Sequence, residues 1–163
     1  MELEGLADKW ANKCTLEKPD AGKDVEYANT SITTDFTENK TYAEMIEKFG
    51  QQSYFYNYST NKCKVPCSSY IQAVWADSKE VGCATNKCPG ILPSQKADTL
   101  FICVYKPAGN PGNAKPYQSG TSCSGCPKDT HCKRNQCEKN SVSTLMSTVA
   151  TLVSVILAVQ CFV

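Results

Sequence analysis

Histidine is nearly absent, with His131 the one imidazole in 163 residues. A serine nucleophile needs a base within hydrogen-bond reach, so hydrolytic chemistry in the body of the chain has almost no proton acceptor to draw on. An excess of charge is missing too. Seventeen basic residues face sixteen acidic ones, for a formal net charge of +1. No broad basic footprint results, which argues against nucleic acid as a partner. The N-terminus lacks both an apolar central run and a small-residue cleavage site, so a signal peptide is missing. In MELEGLADKWANKC, Leu3, Leu6, Ala7 and Trp10 instead recur at helical spacing, with Glu2, Glu4 and Asp8 on the remaining faces. An amphipathic helix is the expectation.

Cysteine is plentiful, at eleven residues. Cys14, Cys63, Cys67, Cys83, Cys88, Cys103 and Cys161 are widely spread, whereas Cys123, Cys126, Cys132 and Cys137 crowd together. This density belongs to an oxidising compartment and implies disulfides rather than reactive thiolates. Zinc is the competing account for the last four, with His131 as a conceivable ligand, but CKRNQC has four residues between its thiols and the rest of the chain suits oxidising chemistry. Three N-x-[ST] acceptors, at Asn29, Asn39 and Asn57, lie in a polar region and predict a glycosylated, solvent-facing surface.

After Lys139 the chain carries no further charge and ends in the run Leu152 to Val163. A retained transmembrane helix and a glycolipid-anchor signal both fit such a tail. The anchor is favoured, because no Lys or Arg follows the run, and Asn140, Ser141 and Ser143 are candidate attachment sites. Anchoring and disulfides both require entry to the secretory pathway, so the chain is expected to continue upstream of Met1.

Between the ends, residues 15–40 read as loop with a short strand near Val25 to Tyr27. Thr41 caps a helix running to Phe49. The aromatic run Tyr54 to Tyr58 reads as packing over a helix or sheet edge rather than as a sugar-stacking platform. Tyr70 to Trp75 suits a short buried helix, and EVGCAT and LFICVYK have the composition of strands. The class is α+β. From Pro107 a Pro/Gly/Asn loop leads into the four-cysteine segment, a module too small to build a core. Three parts follow: 1–117, 118–139 and a hydrophobic tail at 140–163.

SSYIQAVW, from Ser68 to Trp75, resembles the first signature of the CAP superfamily (the SCP domain), which is typically GHYTQ, two aliphatics and Trp; Tyr70, Gln72, Val74 and Trp75 match. FICVYKPAGN resembles the second signature, including Gly109 and Asn110, with Val104 as the departure. Together with WANKC and the four-cysteine module, the likeness is nearest to the glioma pathogenesis-related animal subgroup. It implies an α-β-α sandwich with a central antiparallel sheet and a hinge module, here without the family's first helix. It also implies the pairs Cys14–Cys88, Cys63–Cys67, Cys83–Cys103, Cys123–Cys132 and Cys126–Cys137, leaving Cys161 in the tail.

Many members of that superfamily carry two His and two Glu able to hold a divalent metal. The resemblance places those positions at Lys18, Glu26, Gln52 and Ser69, so one ligand type of four survives and neither metal nor cofactor is expected. The reading is a non-enzymatic extracellular glycoprotein, either secreted or on the outer face of the plasma membrane. It acts in recognition of an unknown protein or lipid ligand and meets the membrane through its tail. Sterol or lipid carriage is the alternative, and a non-functional truncated paralogue the lesser one.

Overall fold

The computed structural model describes residues 2–20, 22–38, 40–91, 98–109 and 113–140. It divides into two compact units, Met1–Tyr117 and Gln118–Val163.

Helix α1, Glu2–Ala11, sets its apolar stripe inward: Leu3, Ala7, Trp10 and Ala11 are buried. Glu2 and Glu4 in its first turn and Lys9 in its last suit the helix dipole. Three strands, β1 (Ser31–Thr37), β4 (Glu80–Lys87) and β5 (Thr99–Lys106), form an antiparallel sheet ordered β1-β5-β4. The central strand is buried on both faces, from Leu100 to Tyr105. Its alternation sorts two cores. Leu100, Ile102 and Val104 pack with Ile32, Ala84 and the buried side of α1. Phe101, Cys103 and Tyr105 pack with Met45 and Phe49 of helix α2, Tyr42–Gln51. The sheet thus lies between α1 and α2, the α-β-α layering that the resemblance implies.

Helix α2 begins where the sequence says it should. Thr41 Oγ1 accepts from Glu44 N at 3.3 Å and Glu44 Oε2 accepts from Thr41 N at 2.7 Å, a reciprocal capping box. Its end differs from expectation by two residues, Gln51 in place of Phe49. Two further corrections fall in residues 15–40. Val25–Tyr27 is a 3-10 turn, not a strand. The tight turn brings Tyr27 inward, where its ring meets Trp10 edge-on at 5.3 Å and its hydroxyl donates to Leu6 O at 2.8 Å. The supposed loop also contains β1, masked in sequence because its inward positions include Thr33 and Thr37, which no apolar alternation reveals.

Gly82 in β4 is where α1 comes closest to the sheet. A Cβ there would stand 2.7 Å from Leu3 Cβ and nearer still to the Leu3 carbonyl carbon and Glu4 N. Only glycine admits that approach. Disulfides fix the same unit: Cys14–Cys88 ties the end of α1 to the end of β4, Cys83–Cys103 joins directly opposed residues of β4 and β5, and Cys63–Cys67 joins two further short elements. Here β2 is Tyr56–Asn57, β3 is Lys62–Cys63 and α3 is Ser68–Ala73, so the helix starts two residues before Tyr70.

The second unit is a hairpin of β6 (Thr130–Lys133) and β7 (Gln136–Lys139). Arg134 and Asn135 form its turn with φ of 51° and 64°, the left-handed pair of a tight two-residue hairpin. None of its described residues is buried. Cys123–Cys132 and Cys126–Cys137 therefore stand where a core would. Among the described residues, no helix is long and apolar enough to cross a membrane; Ser141, Ser143 and the run to Val163 lie outside them.

Candidate functional site

Helix α3 gathers most of the signature residues. Tyr70, Gln72 and Trp75 are buried, and Val74 is half-buried at the helix end. Gln72 works through both ends of its amide. Its Oε1 accepts from Ser31 Oγ and, at 3.1 Å, from Gly109 N, while its Nε2 donates to Ser78 Oγ at 3.0 Å. Ser78 Oγ passes the chain on to Pro107 O at 2.8 Å. One buried amide thus joins β1, α3, the β4 approach and the segment after β5. Gly109 lies against it: a Cβ there would stand 2.5 Å from Gln72 Oε1 and 2.8 Å from Trp75 Cγ. Asn110 lies outside the described residues.

Around Tyr70 the tyrosines form a second network. Tyr70 and Tyr117 share a hydroxyl contact of 3.1 Å, and Tyr56 packs on Tyr70 with centroids 5.8 Å apart. Tyr58 stacks on Tyr117 at 5.2 Å and donates to its carbonyl at 3.0 Å. Lys115 Nζ sits 4.2 Å from the centre of the Tyr58 ring, a cation–π contact. Burial raises the Tyr70 hydroxyl well above its ordinary range, the Tyr117 hydrogen bond adding to it. These phenols serve here as hydrogen-bonding and packing groups.

The four positions where the superfamily's metal ligands would stand are not gathered in one place. Gln52 and Ser69 come together beside α3, where Gln52 Oε1 accepts from Tyr70 N at 3.2 Å and satisfies one of the helix's free first-turn amides. Glu26 instead pairs with Lys9 of α1. That hydrogen bond, and the charge with it, holds the Glu26 carboxyl below its usual range. Lys18 is exposed in the loop after Cys14. An amide, a hydroxyl, an ammonium and one salt-bridged carboxylate do not suit a divalent metal. Among the described residues there is no group of three or more His, Cys, Asp and Glu that could hold one.

His131 lies in the second unit, with Nδ1 3.0 Å from Asn140 Oδ1 and Nε2 3.3 Å from Glu138 Oε2. Asn140 N donates to Asp129 O at 3.0 Å. Asn29 and Asn57 are exposed, whereas Asn39 lies outside the described residues. Asn29 has φ of 57° and its carbonyl accepts from Ala108 N at 2.9 Å. Ser31, Ser78 and Tyr117 are the members of these networks that sequence reasoning missed. Small polar residues carry no periodic signal, and Tyr117 sits in a Pro/Gly-rich stretch with no regular element to place it.

A model of the cysteine-rich secretory protein family matches residues 1–105. The chain is 34% identical to human GLIPR1-like protein 1 over 142 residues, which cover 83% of this chain and 58% of that protein. It is 45% identical to mouse glioma pathogenesis-related protein 1 over 82 residues, covering 50% of this chain and 29% of the relative. It therefore spans less than two thirds of the length of either. Among solved structures, that of Na-ASP-1 superposes with a TM-score of 0.63 at 18% identity, covering 84% of this chain and 36% of the other, a likeness of fold.

Proposed function

The chain belongs to the cysteine-rich secretory protein (CAP) family, whose members of this type are secreted or extracellular, and from that premise we propose that it is a non-enzymatic, glycosylated recognition module displayed on the outer face of the plasma membrane by a glycolipid. The observation that carries the reading is the replacement of reactive groups on a retained scaffold. Gln72, Tyr70 and Trp75 are committed to holding α3 in place, while Lys18, Gln52 and Ser69 stand where imidazoles and a carboxylate would be needed. Glu26, the remaining carboxylate, is neutralised by Lys9. Ser68 and Ser69 have no imidazole to act as base, since His131 is engaged by Asn140 and Glu138 in the hairpin unit. What remains is a cross-linked body with exposed loops, suited to contact rather than turnover.

The charge-free tail after Lys139 supports attachment through a glycolipid at Asn140, Ser141 or Ser143. The test is treatment of intact expressing cells with phosphatidylinositol-specific phospholipase C. Release of the chain into the medium is expected. Retention, with residues 144–163 detected intact by mass spectrometry, refutes the glycolipid and leaves a spanning helix.

A further inference from the structure

The near-zero net charge conceals a segregation along the chain. Residues 1–47 hold eleven of the sixteen carboxylates and only five lysines, whereas neither 48–76 nor 99–117 contains any carboxylate. These two acid-free stretches meet in the fold. Tyr58 stacks on Tyr117, and Asn61 Nδ2 donates to Asn113 O at 2.6 Å and to Ala114 O at 3.2 Å. Several lysines elsewhere in the first unit are matched, Lys9 with Glu26, Lys13 with Asp24, Lys23 with Asp20, Lys48 with Asp35 and Lys106 with Glu2, while Lys18, Lys40, Lys79 and Lys87 stand singly outside the two acid-free stretches. Lys62, Lys64 and Lys115 are exposed and make no salt bridge among the described residues.

The surroundings of the tyrosines agree. Carboxylates contribute to raising the Tyr27 hydroxyl, but at Tyr56 the charges acting beyond burial are those of Tyr117 and Tyr58. Lys62 and Lys64 flank Cys63 at the end of β3. Tyr54, 82% exposed, stands edge-on to Phe55 at 5.5 Å beside the backbone bond from Lys64 N to Phe55 O. The face therefore offers ammonium groups without a carboxylate partner beside the exposed ring of Tyr54.

We propose that this tyrosine–lysine face of the first unit binds a sulfated polysaccharide, with its ammonium groups on sulfates and the Tyr54 ring on a sugar ring. A lipid headgroup layer would supply anions as well, but Val65 is the one large exposed aliphatic chain of the face, beside the smaller Pro66 and Ala114, and most of the rest is tyrosine, asparagine, serine, threonine and lysine. Such a composition suits a polar polymer better than an acyl boundary. The inference deepens the recognition reading and rests on its extracellular placement, not on the anchor.

The test uses the full chain in non-ionic detergent on immobilised heparin. N-glycans are first trimmed with an endoglycosidase, which leaves Asn57 an amide bearing a single sugar, so that a long oligosaccharide opposite Lys62 in the hairpin masks nothing and no carboxylate is created there. Retention is expected, and the triple variant Lys62→Gln/Lys64→Gln/Lys115→Gln is expected to lower the slope of log affinity against log salt by about two, as three lost counterion-releasing contacts require. A charge-matched triple, Lys18→Gln/Lys40→Gln/Lys87→Gln, should leave the slope near that of the parent. Tyr54→Ser should weaken retention without changing the slope. Equal loss in both triples overturns the proposal. So does loss confined to variants of Lys133 and Arg134, or capture by anionic phospholipid vesicles with none by heparin. A chain that binds heparin but resists phospholipase C sinks the glycolipid and leaves this inference standing.

Discussion

Replacing Gly82 with alanine is the sharpest test of how the first unit is assembled. The added methyl would meet Leu3 Cβ at 2.7 Å, and the Leu3 carbonyl carbon and Glu4 N at shorter range. Carbon atoms pack at about 3.5–4.0 Å, so the first turn of α1 would have to retreat by about 1 Å. Two of the three colliding atoms are backbone, and no rotamer change relieves them. A gap of that size forfeits about a quarter to a half of the dispersion attraction at each displaced contact. The displaced contacts include Leu3, Ala7, Trp10 and Ala11, all buried against Leu100, Ile102 and Val104. Overpacking costs about 1–3 kcal/mol where side chains can adjust, so about 3 kcal/mol or more is expected here. Urea unfolding of the full chain in detergent, followed by tryptophan fluorescence, reads this directly because Trp10 lies on the moving helix. Gly5→Ala is the control: it is in the same helix, with nothing within 4 Å of the added Cβ, and should gain about 0.5–1 kcal/mol from helix propensity. A Gly82→Ala midpoint indistinguishable from the parent would refute the close approach of α1 to β4.

Gln72→Leu should destabilise the first unit by about 2–4 kcal/mol, since it leaves Ser31 Oγ, Gly109 N and Ser78 Oγ to seek other partners in a buried setting; a loss under about 0.5 kcal/mol by the same unfolding assay would show that the amide is dispensable. The acid limb of stability follows from depressed carboxyls. Glu26 is lowered by its hydrogen bond to Lys9, Glu44 by the Thr41 backbone amide, and Glu138 by its hydrogen bond to Lys133, each from an ordinary value of 4.5. The unfolded chain takes up protons first, so these groups stabilise the fold above that value, and the contribution fades as pH falls through their lower folded values. Urea midpoints between about pH 6 and about pH 3 should therefore decline, and less steeply in Glu26→Gln; identical acid limbs would exclude the Lys9 pairing as a cause.

Much of the layering was legible because periodicity and capping carry it. Leu3, Ala7 and Trp10 announce α1, Thr41 announces α2, and the composition of LFICVYK announces a strand. Strand β1 was not legible, since a buried threonine such as Thr33 reads as surface until its partner strand is known. The pairing of the cysteines could not be chosen from spacing and came only through the resemblance. The substituted ligand positions were visible as residue types, but that Lys9 and not a loop neighbour neutralises Glu26 depends on how α1 lies across the turn at Val25–Tyr27. The lysine face was hidden by summation. A net charge averages over the chain, whereas segregation becomes a surface only when 48–76 and 99–117 are brought side by side.

The hydrogen bond from Ser31 to Gln72 has a further consequence, which concerns time. Ser31 is the hydroxyl residue of the acceptor triplet Asn29-Thr30-Ser31, and in the folded chain it opens β1, paired with Tyr105, with its hydroxyl turned to the buried amide. Thr30 Oγ1 is also occupied, donating to Tyr27 O at 2.6 Å. In the triplet Asn57-Tyr58-Ser59, by contrast, both Asn57 and Ser59 remain exposed beside a hairpin turn. Under the glycoprotein reading proposed above, sugar transfer to Asn29 would have to precede the docking of β1 on β5, whereas Asn57 would stay open to the transferase afterwards. On that reading the two acceptors would keep different clocks, and occupancy at Asn29 would record how long the newly made chain waited before its sheet closed.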